Sequence, residues 1–155
     1  MLVKDFMSKN VISVSPYDTI SQALARMKKN GIHQLVVMAD RELYGVLELR
    51  KIITKDIDPP TAKVSGYISH VATIDANAGL ESAASLLLKS GLRAIPVTEA
   101  GSVVGVISET DVAKAADKFV KGLNIKAKEI AVNAEFVEKN SPAAKAKTLM
   151  RDKNI

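Results

Sequence analysis

The segment GVLELRKI at residues 45–52 is repeated sixty residues later as GVISETDV at residues 105–112. The same offset relates residues 11–52 to residues 71–112 without a gap, and most apolar positions are kept between the two copies. A repeat of this length is one supersecondary unit, and it is too small to bury its apolar face alone. We therefore expect the two copies to pack against each other.

The amino-acid composition is that of a soluble globular protein. The chain has 155 residues, of which 47% are hydrophobic and 25% are charged, which fits one domain or two tightly paired subdomains. The absence of cysteine excludes disulfides, thiolate catalysis and the common zinc frameworks. The two histidines, His33 and His70, are not in metal-ligand spacing, and no apolar run approaches the length of a membrane span. We therefore expect a cytoplasmic protein with no metal site and no membrane contact.

The positive charge lies in the C-terminal part of the chain. The formal net charge is +5, but Lys and Arg balance Asp and Glu over residues 1–112, so residues 113–155 carry the whole excess. With three Phe and three Tyr, the chain has too few aromatic residues to interleave with a basic face for base stacking. We interpret the excess as a solvated lysine-rich helix surface rather than a contact with nucleic acid.

Each copy is predicted to fold as strand, helix, strand, strand, helix, which places the chain in the α/β (α+β) class. In the first copy, residues 11–14 are a β-prone run and Asp18 is the predicted N-cap of a helix. Apolar residues recur at helical spacing from Ile20 onward, and Gly31 is predicted to end the helix in the left-handed conformation. The second copy repeats this pattern up to Gly91.

A hairpin is predicted to follow the first helix of each copy. Its strands and turns are residues 35–39 and 43–49 around Asp40-Arg41 in copy one, and residues 94–98 and 103–108 around Ala100-Gly101 in copy two. A last helix is clear in copy two, where apolar residues recur from Val112 to Val120. Copy one has a shorter version of this helix.

These patterns divide the chain into two complete repeats and part of a third. We place repeat one at residues 1–58, a linker at 59–62, repeat two at 63–122 and a partial third repeat at 124–155. In the third, Ser141-Pro142 is the predicted helix start, and the sequence stops where the next strand is expected. The tail is therefore either part of a longer parent with three or four repeats or a degenerate C-terminal cap.

Two motifs of the second copy resemble those of a known family. GLRAIPV at residues 91–97 and GVISETDV at residues 105–112 are similar to CBS domain motifs, and tandem pairs of CBS domains form a Bateman module. The resemblance implies a pseudo-twofold pair of repeats with two clefts, which in this family often hold adenosine-containing ligands such as AMP, ATP or S-adenosylmethionine. Family members usually regulate an attached or partner enzyme or transporter and perform no chemistry themselves.

Ser108 and Asp111 are the predicted anchors of such a ligand. Ser108 is expected at the end of a strand and Asp111 in the first turn of the following helix, so that a hydroxyl and a carboxylate point into one mouth beside exposed helix N–H groups. The carboxylate would accept hydrogen bonds from the ribose hydroxyls. The same Ser-x-x-Asp pattern is also a capping box that stabilises a helix start without binding anything, and the two roles can coexist.

Arg93 and His33 occupy equivalent positions, each two residues past a helix-stopping glycine. Twofold packing would bring them to neighbouring clefts, where family members commonly place phosphate-binding residues, and Arg offers a planar fork to phosphate. The alternatives are a surface cation for Arg93 and a half-buried, hydrogen-bonded side chain for His33. The apolar wall for a base is expected from Val71, Ala72, Thr73, Ile95 and Pro96.

Copy one departs from this pattern at the two anchor positions, where Glu48 replaces Ser108 and Lys51 replaces Asp111. We therefore expect the first cleft to bind a nucleoside poorly. Lys51 and its neighbour Arg50 would instead face the phosphates of a ligand anchored by Asp111, giving one nucleotide per pair. The alternative is that both cations are solvated and the first cleft is empty.

The sequence favours a nucleotide sensor over an enzyme. It has no GxxxxGK[ST], GxGxxG, GxSxG or HExxH motif, so no catalytic residue is assigned. We predict a module that binds AMP, ADP, ATP or an S-adenosylmethionine-type ligand, modulates a partner or attached protein and requires no cofactor. We also expect a homodimer that meets through its helices. The alternatives are a ligand-free dimerisation scaffold and an accessory domain of an enzyme or nucleic-acid-binding parent.

Overall fold

The computed structural model describes residues 1–117 and 134–153. In copy one, the elements are β1 (Ser13–Val14), α1 (Ile20–Asn30), β2 (Gln34–Ala39), β3 (Glu42–Glu48) and α2 (Leu49–Ile53). In copy two, they are β4 (Ile74–Asp75), α3 (Leu80–Ser90), β5 (Ala94–Glu99), β6 (Ser102–Ser108) and α4 (Glu109–Asp117). A helix of the tail, α5, spans Ala143–Lys153. The predicted order of strand, helix, strand, strand, helix is confirmed in both copies.

Each copy builds its own three-stranded sheet. β1 runs parallel to β2, and β2 runs antiparallel to β3; β4, β5 and β6 repeat this arrangement. A parallel pair needs a crossover connection, which α1 and α3 provide. The register shifts after Val37 in one sheet and after Val97 in the other, so even the irregularity recurs at the sixty-residue offset. The two copies are therefore the same unit in backbone as well as in sequence.

Two apolar cores lie where the helices cover the sheets. In copy one, the side chains of Leu35 and Leu47 on paired strands are fully buried. Their counterparts in copy two, Ile95 and Ile107, are fully buried in the same way. Full burial of one such side chain stabilises the fold by about 1.5–3 kcal/mol. The strand registers are fixed by these apolar positions.

The two hairpin turns have left-handed backbone at both central residues. The φ angles are 49° at Asp40 and 68° at Arg41 in copy one, and 48° at Ala100 and 80° at Gly101 in copy two. Two-residue turns with this conformation match the twist of the flanking strands, which explains why a non-glycine residue is held there. The predicted turn positions are confirmed.

The N-cap of the first helix of copy one lies one residue after the predicted cap, Asp18. The N-cap is Thr19, whose hydroxyl accepts from the N–H of Gln22 while the Gln22 side chain accepts from the Thr19 N–H. Asp18 instead accepts from the N–H of Ser15 at 3.1 Å. The Asp18 prediction was therefore wrong by one residue, because a threonine with glutamine three residues later forms the complete capping box. The helix ends at Gly31 with a φ of 62°, as predicted.

The leading segment of repeat one packs against repeat two. Val3 lies in a 3₁₀ helix over Val3–Asp5, is fully buried in the core of copy two and donates its N–H to the carbonyl oxygen of Ala78 at 2.9 Å. Further along, Ser8 and Val106 exchange two backbone hydrogen bonds of 2.9 Å. The N-terminal segment is thus an added layer of the second repeat.

The leading segment of repeat two makes the equivalent exchange in the other direction. Val64, in a 3₁₀ helix over Val64–Tyr67, is fully buried in the core of copy one. Ser69 and Val46 exchange two backbone hydrogen bonds of 2.8 and 3.0 Å. Each repeat is therefore completed by the leading segment of the other, an exchange that the repeat pattern did not predict.

Gly45 and Gly105 allow these exchanged segments to cross the sheets. A Cβ atom on Gly105 would lie 2.6 Å from Met7 Sδ and 2.8 Å from the carbonyl oxygen of Ser8. A Cβ atom on Gly45 would collide with the carbonyl oxygen of Ser69, and the φ of Gly45 is 139°. The glycine is kept in both copies because backbone passes directly over it.

The tail contributes one described helix. α5 begins at Ala143, directly after the predicted start Ser141-Pro142. Phe136 and Val137, which align with the first strand of a repeat, are outside any strand in the described part of the tail. Residues 125–130, whose sequence resembles the start of repeat one, and Asn154, which aligns with the helix-stopping glycines, lie outside the described residues. Across residues 1–117 and 134–153, no helix has the length and apolar character to cross a membrane.

Candidate functional site

Two cavities lie at the ends of β3 and β6, where residues of both repeats meet. Cleft two has a volume of about 450 Å³, and its lining includes Asn10, Ile12, His33, Arg93, Ser108 and Asp111. Cleft one has a volume of about 460 Å³, and its lining includes His33, Glu48, Leu49, Arg50, Arg93 and Met150. Both volumes fall in the usual range for small-molecule sites. His33 and Arg93 line both cavities, so the two clefts share a wall.

The start of α4 positions Ser108 and Asp111 at cleft two. Asp111 Oδ2 accepts hydrogen bonds from the Ser108 N–H at 2.9 Å and from the Ser108 hydroxyl at 2.5 Å. In return, the Asp111 N–H donates to Ser108 Oγ at 3.2 Å. This reciprocal pattern is a capping box. Both side chains are half-buried and line the cleft, so the cap fixes their position there.

The second oxygen of the Asp111 carboxylate is not used by the cap. Both hydrogen bonds to Asp111 reach Oδ2, and no bond to Oδ1 is present among the described residues. An ionised carboxylate has about four lone-pair sites on its two oxygens. Oδ1 can therefore accept from a ligand hydroxyl while Oδ2 keeps the cap, so capping and ligand contact are chemically compatible.

Arg93 and His33 sit at the wall between the clefts with their polar groups exposed. Within the ranges that the structure describes, the Arg93 guanidinium forms no ion pair or side-chain hydrogen bond, and neither does the His33 imidazole. An unpaired guanidinium at a cavity wall is a ready partner for a phosphate or carboxylate. His33 is therefore not the half-buried, hydrogen-bonded residue of the alternative reading.

The predicted apolar wall is not brought together with Asp111. Val71, Ala72 and Thr73 do not belong to the lining of cleft two, and Ala72 and Thr73 are exposed. Ile95 is fully buried in the core and Pro96 is also buried, and neither belongs to the lining of cleft two.

The exchange of leading segments explains this difference. Because Ser8 pairs with Val106 beside Ser108, the segment that carries Asn10 and Ile12 becomes the wall of cleft two. Sequence reasoning missed these residues, since it assigned each wall to the repeat that contains it in sequence. The glycine kept at the same position of both copies, Gly45 and Gly105, was the available signal, because glycine is suited to positions where another backbone segment approaches closely.

Cleft one contains an ion-pair network centred on Glu48, whereas cleft two contains the Asp111 carboxylate with its available Oδ1. Glu48, 5% exposed, meets Lys51 Nζ at 3.0 Å through Oε1 and accepts from the Arg50 Nε at 3.0 Å through Oε2. The Ser69 hydroxyl donates to Glu48 Oε1 at 3.1 Å, and Lys51 Nζ donates to Ser69 Oγ at 2.7 Å. The carboxylate at the Ser108 position is therefore fully engaged by residues of the protein.

The network keeps Glu48 ionised. Burial raises the pKa of Glu48, but the hydrogen bonds from Lys51 and Ser69 and the positive charges of Lys51 and Arg50 together lower it by more, so the pKa lies below its ordinary value. A carboxylate held in this way has no spare strong interaction for a ribose hydroxyl.

Lys51 does not lie beside His33 and Arg93, contrary to the predicted phosphate cluster. Its ammonium group is held by Glu48 and Ser69, and Lys51 is part of the lining of neither cleft. Its neighbour Arg50 does line cleft one. There the Arg50 guanidinium also donates to the carbonyl oxygen of Gly91 at 3.3 Å, so it bridges the two repeats.

Potential metal ligands are dispersed over the described residues. In residues 1–117 and 134–153, no three His, Cys, Asp or Glu side chains come together in an arrangement that could hold a metal ion.

Comparison of the sequence with protein families gives a match to the CBS domain. The CBS domain matches residues 3–58 and again residues 64–118. The uncharacterized protein MJ1404 of Methanocaldococcus jannaschii is 32% identical over 159 residues, which is 99% of this chain and 37% of that protein. The chain thus spans little more than a third of the length of this relative. Hypoxic response protein 1 of Mycobacterium tuberculosis is 28% identical over 118 residues, which is 72% of this chain and 82% of that protein.

Solved structures show the same paired architecture. The CBS domain NE2398 superimposes with a TM-score of 0.71 at 27% identity, over 76% of this chain and 98% of that one. CBSX2 in complex with AMP superimposes with a TM-score of 0.65 at 26% identity, over 76% of this chain and 97% of that one. Hypoxic Response Protein I, solved with two coordinated zinc ions, has a TM-score of 0.67 at 27% identity, over 74% and 98% of the two chains.

Proposed function

The chain belongs to the CBS domain family, and we propose that it is a regulatory module that binds an adenosine-containing ligand in cleft two. The observation that carries the proposal is the position of Ser108, Asp111 and Arg93 around one cavity of about 450 Å³. The AMP complex of the related CBSX2 supports the choice of an adenosyl ligand.

The chemistry of cleft two fits a nucleotide laid across it. Asp111 Oδ1 accepts from the ribose hydroxyls, and the unpaired Arg93 with His33 meets the phosphate at the shared wall. Ile12 offers apolar contact to the base, and the Asn10 amide offers a donor and an acceptor to its edge. AMP, ADP and ATP can contact all of these groups. S-adenosylmethionine has no phosphate, so its carboxylate would be the group that pairs with the Arg93 guanidinium.

Cleft one does not take a second nucleoside. Its Glu48 carboxylate is already engaged by Lys51, Arg50 and Ser69, and a ribose would have to displace charge-assisted hydrogen bonds worth about 1.5–3 kcal/mol each. The proposal is therefore one nucleoside per pair of repeats.

The module acts on other proteins rather than by chemistry of its own. We propose that it modulates a partner or an attached protein, that it works as a homodimer meeting through its helices, and that it is cytoplasmic. One exposed apolar side chain on the helical surface, Leu88 of α3 at 84% exposure, supports the dimer.

Binding of AMP, ADP, ATP and S-adenosylmethionine to the full chain tests the proposal directly. A ligand at about 100 times its dissociation constant adds about 2.7 kcal/mol to the free energy of unfolding, which raises the melting temperature by several degrees in a domain of this size. Thermal-shift measurements check this, and titration calorimetry gives the stoichiometry, expected at one per chain. The absence of a shift with all four compounds would favour the ligand-free scaffold instead.

A further inference from the structure

Helix α5 of the tail reaches into cleft one. Met150 lines this cavity together with Leu49 and Ile53 of α2. One turn earlier on the same helical face, Lys147 Nζ donates to the carbonyl oxygen of Lys55 at 2.9 Å. Lys147 and Met150 are half-buried, whereas Thr148 between them is exposed. The tail helix is thus seated on the end of α2 through one face.

Cleft one also carries uncompensated positive charge. Glu48 is the carboxylate of its lining and is paired with both Arg50 and Lys51. Arg93, on the shared wall, has no ion-pair partner among the described residues. Two guanidinium groups, those of Arg50 and Arg93, and one carboxylate therefore line this cavity, and the excess of one positive charge favours an anion there.

We infer that α5 and a phosphate chain compete for cleft one. Met150 adds an apolar side chain to the wall of the same cavity that Arg50 and Arg93 line, and these two residues would hold phosphate oxygens. A phosphate chain held by the two guanidinium groups would lose hydrogen bonds to water on the side of the Met150 thioether, which offers no donor in return, so anion binding and the seated helix weaken each other. Binding of a phosphate chain across Arg50 and Arg93 releases the helix.

This inference goes beyond the proposed function, because it concerns the cavity without ribose acceptors and the output of the module. The phosphate chain has two sources: the far end of a nucleotide anchored at Asp111, extending past Arg93 into cleft one, or a free polyphosphate. In either case, the release of α5 is the structural response to binding of the anion. By thermodynamic linkage, loosening α5 must raise the affinity for the anion by the same factor as the anion loosens α5.

Thiol labelling at single introduced cysteines tests the competition, since the natural chain has no cysteine. Met150→Cys places the thiol in the cleft, and Thr148→Cys places it on the exposed face of the same helix as the control. Without ligand, we expect the thiol at position 150 to react with a maleimide at least about fivefold more slowly than the thiol at 148. Saturating inorganic triphosphate should bring the rate at 150 close to the rate at 148 and leave 148 unchanged. Equal rates without ligand, or a rate at 150 that triphosphate does not alter, would overturn the inference.

A second pair of variants tests the reverse direction. Met150→Ala should bind inorganic triphosphate at least about fivefold more tightly than the natural chain, in the range of typical coupling factors, while Thr148→Ala should bind as the natural chain does. An unchanged or weaker affinity in Met150→Ala contradicts the competition.

The source of the phosphate chain is identified by comparing the affinities for ATP, adenosine and inorganic triphosphate in the natural chain and in Asp111→Ala. If the chain belongs to a nucleotide anchored at Asp111, ATP should bind more tightly than inorganic triphosphate to the natural chain, and this difference should disappear in Asp111→Ala. Because triphosphate needs no nucleoside site, failure of adenosine binding alone counts against the proposed function and leaves the competition standing.

Discussion

The side-chain amide of Gln34 donates a hydrogen bond of 2.7 Å to the carbonyl oxygen of Ala94, the residue sixty positions further along the chain. Equivalent positions of the two repeats thus touch at the shared wall, since Gln34 lines both clefts. The contact cannot be reciprocal, because Ala94 has no side-chain amide that could donate to the carbonyl oxygen of Gln34. The pair is twofold in backbone but asymmetric in chemistry, and the predictions below depend on that asymmetry.

Replacement of Asp111 by alanine is expected to affect both binding and stability. Loss of the ribose acceptor should weaken AMP binding at least tenfold, because a charge-assisted hydrogen bond is worth about 1.5–3 kcal/mol. Loss of the cap with Ser108 should lower the free energy of unfolding by about 1 kcal/mol. Titration calorimetry and chemical denaturation measure the two effects.

Thr19→Ala is the matched control for Asp111→Ala, because it removes the capping box of α1 away from both clefts. We expect a similar loss of stability with unchanged affinity for AMP. If Asp111→Ala behaves as Thr19→Ala does, the Asp111 carboxylate is a helix cap and nothing more.

Replacement of Arg93 by glutamine should separate phosphate from nucleoside recognition. Affinity for AMP is expected to fall about tenfold or more, because the guanidinium has no partner among the described residues and is available to the phosphate. Affinity for adenosine should stay the same. Arg41→Gln, which removes the same charge at an exposed hairpin turn, serves as the control in calorimetry. Equal losses for AMP and adenosine would argue against a phosphate contact.

Alanine at Gly45 or Gly105 should destabilise the fold. Crowding against the crossing segment is expected to cost about 1–3 kcal/mol at either site, and the positive φ of Gly45 adds about 1–3 kcal/mol there. Gly66→Ala, with open space around its Cβ position, should stay within about 0.5 kcal/mol of the natural chain. Urea denaturation ranks the three variants, and a Gly45→Ala protein as stable as Gly66→Ala would contradict the close crossing.

Acid should weaken the network around Glu48. Its lowered pKa means that the folded state binds this proton less readily than the unfolded chain, so the stabilisation is complete above the ordinary value of 4.5 and is lost as the pH falls through the lower folded pKa. Glu48→Gln should cost about 1–3 kcal/mol at pH 7, since charged hydrogen bonds are lost. It should also flatten the fall in stability below about pH 4.5. Denaturation at a series of pH values checks this, with the exposed Glu42→Gln on the same strand as the control; parallel pH profiles for natural and Glu48→Gln chains would exclude this role.

Dimerisation through helices predicts a sensitive position on α3. Leu88 is 84% exposed, so Leu88→Glu should leave the fold intact and shift the chain toward the monomer in light scattering at micromolar concentration. Ser102→Glu adds the same charge at the exposed end of a hairpin and should not change the mass. A natural chain that is already monomeric would refute the proposed dimer.

The sequence predicted the architecture because local patterns determine it. Two-residue turns such as Ala100-Gly101 and helix-stopping glycines such as Gly31 act through the conformation of a few neighbouring residues. These positions, and the order of elements in both repeats, are found where they were expected. The N-cap was misplaced by one residue at Asp18, since both Asp18 and Thr19 are suitable cap types and the partner Gln22 decides between them.

The site was less accessible to sequence reasoning, because long-range pairing builds it. Ser108 and Asp111 are neighbours in sequence, and their geometry follows from one helix start. Asn10, about a hundred residues earlier in the chain, lines the same cavity because Ser8 pairs with Val106. No periodicity of the sequence predicts that pairing. The same exchange removed Val71 from the expected wall.

The exchanged leading segments also separate the unit of inheritance from the unit of folding. Val3 completes the core of the second repeat and Val64 completes the core of the first, so a single repeat on its own would lack the leading segment that covers its core. Two identical single repeats could exchange their leading segments and form the same pair as a symmetric dimer. In one continuous chain each half can differ in sequence from the other, so Asp111 keeps one carboxylate oxygen outside its cap while Glu48 is paired with Arg50 and Lys51.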